Sequence, residues 1–215
     1  MALAALVLAA SPSIAAAPAS ITLTTPLDSV HSATAESSMG DFVADSVLSV
    51  VPDAQIAFVP SGELKPETIP AGTVSPGRLI EVLRAGDDPA DTVVTMRVPG
   101  SVVIDALNHG VSRAPSPFNG YLQVAGISVV YHAGGDGRQM VQTVTLSSGG
   151  QINSGTTYVV AMPHFIADGA LGYFSVWPSD YSVKDTGLTV ATAVQTYAAS
   201  HQPLSYQAGS RITQG

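Results

Sequence analysis

The chain contains no cysteine. Disulfides, thiolate zinc sites, iron–sulfur clusters and cysteine nucleophiles are excluded together. Charge is scarce too: Asp, Glu, Lys and Arg make up 11% of the 215 residues, and the net charge is −8. No Lys or Arg precedes Lys65, and no basic stripe follows it. Nucleic acids and anionic membrane surfaces are therefore poor partners. The phosphate-loop pattern G-x-x-x-x-G-K-[ST], the zinc pattern H-E-x-x-H and the nucleophile elbow G-x-S-x-G are all missing. His31, His109, His132, His164 and His201 stand singly and read as loop or surface residues. Asp87 and Asp88 adjoin Pro89 and read as a solvated turn. No metal site, no cofactor and no catalytic constellation is expected.

Hydrophobic residues make up 46% of the chain, which suits one packed domain and argues against disorder. The first 20 residues are Ala-rich. An apolar run from Ala2 to Ala10, then Ser and Pro, resembles a signal peptide with a cleavage site near Ala15–Ala19. The run is too short to span a bilayer, and no Lys or Arg follows Met1. These features predict a secreted or periplasmic protein. Residues 1–20 are read as the signal-like segment, 21–35 as a linker and 36–215 as a single domain.

"ESSMGDFVADSVLSVV" places Met39, Phe42, Val43, Val47 and Val50 at helical spacing, with Ser37 or Ser38 as cap and Pro52 as stop. "AQIAFVP" reads as a buried strand. "SPGRLIEVLRAG" reads as a short helix with Pro76 at its first position and Gly86 past its end. "DTVVTMRVPG" is a strand and "GSVVIDALNHG" a helix closed by Gly110. "YLQVAG", "ISVVYH", "MVQTVTL" and "TTYVVAMP" are strand material, "HFIADGALGYFSVW" an aromatic loop and "GLTVATAVQTYAASH" a last helix. Arg211–Thr213 can add a closing strand. Strand pairs without intervening helices predict an α+β domain with mixed sheets and flanking helices. "GGDG" at Gly134–Gly137 lies between two β-rich runs and reads as a hairpin tip, not a ligand loop.

The order of segments from Glu36 to His201 resembles the C-terminal domain of bacterial and animal 5′-nucleotidases. The motifs are "ESSMGDFVADSV", "AQIAFVPSGELK", "AGTVSPGRLIEVL", "VTMRVPGSVVIDALNHGV", "GYLQVAGISVVY" and "YVVAMPHFIADGALGYF". The resemblance implies a layered α/β/β/α fold. It also implies a nucleoside-binding role beside a metallophosphoesterase domain that holds two metals and performs hydrolysis.

Carried over by position, the family pocket is largely changed. Pro60 stands where the family has an Asn, and Lys65 where it has an Arg. Ala85 replaces the first ring-stacking aromatic, while Phe165 retains the second. Ala170-Leu171 replaces the Gly-Asp of the late glycine motif, and Asp41 an Asn at the first helix. If a ligand site survives, it is expected between "PSGELK" and "PHFIADGALGYF", with Phe165 as wall and Lys65 and Asp168 offering charge.

Three functions are compatible with the residues. One is an exported stand-alone domain that binds nucleoside or nucleotide weakly, or serves a separately encoded metallophosphoesterase. The second is a non-catalytic structural or protein-interaction module with a dead pocket. The third is an independent hydrolase, which only the resemblance favours.

Overall fold

The computed structural model describes residues 18–135, 137–177 and 180–215. The signal-like run Ala2–Ala10 and the turn residue Asp136 lie outside the described residues.

The domain is built on a five-stranded mixed sheet. Its strands are β3 (Ile56–Pro60), β6 (Thr92–Pro99), β7 (Leu122–Ala125), β10 (Thr157–Pro163) and β11 (Val183–Thr189), in the order β11-β6-β10-β3-β7. β3 and β10 are parallel; the other neighbours are antiparallel. The alternation in β6 sends Val94, Met96 and Val98 into one core and Val93 into the other.

Two cores therefore flank the sheet. On one side pack helices α1 (Ser38–Ser49) and α5 (Val190–Ser200), with Phe42, Val47 and Val194 fully buried. Ser37 caps α1, its Oγ accepting from the Gly40 N–H at 3.1 Å. Against the other side pack helix α3 (Gly100–Val111) and a second sheet. That sheet holds β8 (Ile127–Ala133), β9 (Gln139–Leu146) and β12 (Ile212–Gln214), in the order β12-β8-β9. This is the mixed α+β architecture expected from the sequence.

The β8–β9 pair is an antiparallel hairpin, and the glycine-rich stretch is its tip. The Gly134 N–H donates to the Arg138 carbonyl at 2.6 Å, and Gly137 has φ 80°, where a Cβ would be strained.

Three elements depart from their sequence reading. The stretch 21–35 carries β1 (Ile21–Leu23) and β2 (Leu27–Asp28). These pair with β5 (Gly72–Val74) and β4 (Thr68–Ile69), and Ile21, Leu23 and Leu27 are buried in the first core. Three apolar residues among hydroxyls gave too short a pattern to distinguish a strand from a linker. Gly110 does not close α3, which runs on to Val111. It lets the helix approach Leu122, whose N would lie 3.3 Å from an added Cβ. The start of "GLTVATAVQTYAASH" belongs to β11, an exposed edge strand lacking hydrophobic alternation, and the helix begins only after Thr189.

The C-terminus is clasped by buried charge. The Glu36 carboxylate accepts from the backbone N–H groups of Gly209, Ser210, Arg211 and Ile212 at 2.5–3.1 Å. Arg211 in turn grips Asp45 with both guanidinium nitrogens at 2.7 and 2.8 Å. Asp41, in this cluster, is pushed up to about 9 by burial, against the pull of Arg211 3.6 Å away and with Glu36 adding to the rise.

Candidate functional site

The C-terminal ends of β3 and β10 point the same way, so the segments after them lie side by side. Pro60 ends β3, and Ser61–Glu63 form a 3₁₀ turn. The turn is stapled to the segment before β7. Ser61 and Gly62 N–H groups donate to the Tyr121 and Asn119 carbonyls at 2.8 and 2.7 Å, and Ser61 Oγ donates to Phe118 O at 2.9 Å. It is also stapled to the segment after the short helix α2 (Pro76–Ile80), where the Arg84 N–H donates to the Glu63 carbonyl at 2.8 Å.

After β10, helix α4 (His164–Ala167) leads into a 3₁₀ segment, Ala170–Ser175. Rings fix this segment. Tyr173 Oη donates to Gly120 O at 2.8 Å and Trp177 Nε1 to Ile166 O at 2.6 Å, and the two rings stack at 5.5 Å. His109 meets Tyr173 edge-on at 4.6 Å. Its Nε2 lies 2.9 Å from the Leu171 carbonyl, so that nitrogen carries the hydrogen.

Leu171 is held at φ 57°, ψ 22°, a left-handed conformation that strains an ordinary side chain. Its side chain packs against the second core. It also approaches the first turn: a Cβ added to Gly62 would lie 3.3 Å from Leu171 Cδ1. The two segments expected to frame a ligand site thus do meet, and an apolar side chain fills the contact.

The individual candidates are spread around this contact. Lys65 lines an open cleft of about 610 Å³ with Gly86, Asp87, Pro89, Thr192 and Gln195. Its Nζ donates to the Glu81 carbonyl at 2.7 Å, so the ammonium is already partly committed. Ala85 offers only an exposed methyl beside this cleft. Asp168 is exposed, 3.5 Å from His164 Nε2, and lines a different concavity of about 330 Å³ with Phe174, Trp177 and Tyr181. Phe165 is half-buried against the second core, and neither cleft's lining includes it.

Two features had no readable signal in the sequence. Phe174 is 76% exposed, whereas the aromatic character of its loop gave no hint of which ring faces outward. Beneath the 84–91 loop, Glu63 and Asp91 form a buried carboxyl pair. Burial first, and then the Asp91 carboxylate, push Glu63 up to about 9; Asp91 is raised as well, mainly by burial. Among the described residues no N–H or O–H donor reaches Glu63 Oε1 or Asp91 Oδ2. A proton kept by Glu63 and donated to Asp91 satisfies both. Among the described residues no group of three or more His, Asp or Glu could hold a metal ion.

This arrangement of sheet, stapled turn and glycine-bearing loop has known relatives. Residues 14–177 match the family model described as 5′-nucleotidase, C-terminal domain. The chain belongs to the 5′-nucleotidase C-terminal domain family. Its fold superimposes on the 5′-nucleotidase precursor of Thermus thermophilus with a TM-score of 0.79 and 25% identity, covering 90% of this chain and 39% of that one. The NAD nucleotidase of Haemophilus influenzae gives a TM-score of 0.73 at 17% identity, covering 90% of this chain and 38% of that one, and supports the fold alone. A trifunctional nucleotide phosphoesterase of Bacillus subtilis is 27% identical over 164 residues, which is 73% of this chain and 11% of that protein. The chain thus spans well under half the length of these relatives. Among the described residues no helix is long and apolar enough to cross a membrane.

Proposed function

We propose that this 5′-nucleotidase C-terminal domain is an exported, substrate-side module of nucleotide breakdown whose nucleoside pocket has degenerated. In this reading it does not hydrolyse nucleotides by itself. It serves a metallophosphoesterase, which supplies the metals that activate water. The observation that carries the reading is Leu171. It occupies the position of the family Asp, keeps the left-handed backbone that suits Asp better than Leu, and fills the contact with Gly62. Ala85 removes one stacking ring, and Lys65 replaces a planar fork with a point charge. Lys65 and Asp168, on separate clefts, remain the proposed ligand-facing charges, and Phe174, not the core-facing Phe165, is the ring most open to stacking. Export rests on the Ala2–Ala10 run, and sequencing the mature N-terminus from culture medium or periplasm tests it.

The test is an assay of the purified chain against nucleoside monophosphates with zinc, manganese or cobalt. No turnover above a buffer blank is expected; turnover proportional to protein overturns the reading. A second reading, a protein-interaction module, is favoured by Phe174 with Val183, 37% exposed, on the rim of one concavity. Alanine at Phe174 abolishing capture of a purified metallophosphoesterase, with adenosine binding absent throughout, would select it.

A further inference from the structure

At the opposite end of the strands from the candidate site, the sheet is left uncovered. α1 stops at Ser49, and beyond it Val50–Asp53 border an open cleft of about 480 Å³. Its floor includes Thr95 and Arg97 on β6, Val159 on β10 and Lys184 on β11. Lys184 lies opposite Thr95 in the register, and Arg97 opposite Val159. Side chains two residues apart share a face, so Arg97 and Lys184 are diagonal neighbours on this face, about 7–8 Å apart at the backbone.

Two cations so placed repel one another unless an anion lies between them. The other cations with partners are engaged inside the protein: Arg211 with Asp45, Arg78 with Glu67, Lys65 with a carbonyl and Arg113 over the Phe118 ring. Among the described residues Arg97 and Lys184 form no ion pair and no side-chain hydrogen bond. Asp185 also borders the cleft but forms no ion pair with either cation. It lies opposite Val94, where it accepts from Thr92 Oγ1 at 3.0 Å and the Gly187 N–H at 2.8 Å. Asp53, at the rim, pairs with neither cation. A lysine on an edge strand also discourages edge-to-edge pairing. That accounts for Lys184 on β11 but not for Arg97, which sits one strand in, between β11 and β10.

We propose that this cleft binds a diphosphate anion, either inorganic pyrophosphate or the diphosphate of an ester. The Arg97 fork takes one phosphoryl group and the Lys184 ammonium the other, with the Ser182 hydroxyl at the rim as a further donor. Two cations of different geometry suit an anion charged at both ends better than a lone carboxylate. The proposal stands apart from the nucleoside pocket, which lies at the far ends of the same strands.

The test is calorimetric titration of pyrophosphate into the full chain and into Arg97→Gln and Lys184→Gln, with amide shifts mapped in parallel. Saturable binding is expected, with shifts at 95–97, 159 and 182–186. Each substitution should weaken it by about tenfold, the loss expected for one charge-assisted contact. Both positions are exposed, and circular dichroism establishes that each variant folds; if one does not, the other decides. A nucleoside diphosphate binding like pyrophosphate, with sulfate far weaker, supports the ester source. Absent saturation, unchanged affinity in the variant that folds, or binding of polyglutamate in place of pyrophosphate overturns the proposal.

Discussion

The C-terminal clasp and the candidate site are both rich in polar groups, yet they treat them differently. In the clasp, Glu36 meets four backbone N–H groups and Arg211 meets Asp45 twice, so buried charge is largely paired. At the candidate site, burial raises both Glu63 and Asp91, each with an oxygen that no donor reaches among the described residues, and Leu171 sits in a strained backbone conformation. The clasp ties the segment entering the last strand to α1 and to the residue ahead of its cap. On the proposed reading, the site end keeps the backbone of a binding loop without the side chains that would use it. Strain at a functional loop is tolerable when the surrounding rings over-determine it, as Tyr173, Trp177 and His109 do here.

The largest expected effect is at the clasp. Arg211→Ala leaves the Asp45 carboxylate without its counter-charge and should cost about 3 kcal/mol in urea unfolding. A loss below about 1 kcal/mol would erase the contrast between the two regions.

The second effect is on pH. Glu63 and Asp41 are each held up to about 9 in the fold, against ordinary values of 4.5 and 3.8. Between about 4 and 9 the folded chain therefore binds more protons than the unfolded chain. The stability these two groups contribute is fullest below that window, declines as pH rises through it and levels off above. Glu63→Gln keeps a donor toward Asp91 and cannot titrate. It should reduce the slope by at most about 1.4 kcal/mol per pH unit, one proton's worth. Urea melts from pH 5 to 8.5 giving the same slope for both proteins would place the proton elsewhere.

The smallest effect is at Leu171. Leu171→Asn relieves the left-handed backbone and loses a half-buried apolar contact, so the two nearly cancel. The net change should stay within about 1 kcal/mol. A cost of 2 kcal/mol or more, on the order of a buried leucine truncation, would make Leu171 a core residue instead of a remnant of a site.

The sequence made the regular elements readable where one strong rule acted. Ser37 and Pro52 bounded α1, Ser75 and Pro76 opened α2, and the glycines at 134–137 closed a hairpin. It failed where structure depends on distant partners. β1 and β2 are too short to show a period, and β11 is an exposed edge whose pattern gives no alternation. At the site, the family order of motifs indicated which two segments would meet. It could not show that Lys65 would donate to Glu81, that Phe165 would turn toward the second core while Phe174 turned outward, or that Glu63 would find Asp91. Side-chain direction at a loop is set by tertiary packing, and no local pattern records it.

The central claim is that the pocket lost its ligand through identifiable residues. It is tested most directly by titrating adenosine into the wild-type chain and into the double variant Ala85→Phe/Leu171→Asp, following amide shifts. The wild type should bind no tighter than millimolar. The variant regains a stacking face and a carboxylate, and its affinity should rise by about tenfold to a hundredfold, the worth of roughly 1–3 kcal/mol per stack. The shifts should fall at 61–65, 84–91 and 165–174. Micromolar binding by the wild type, or no gain in a folded double variant, would contradict it.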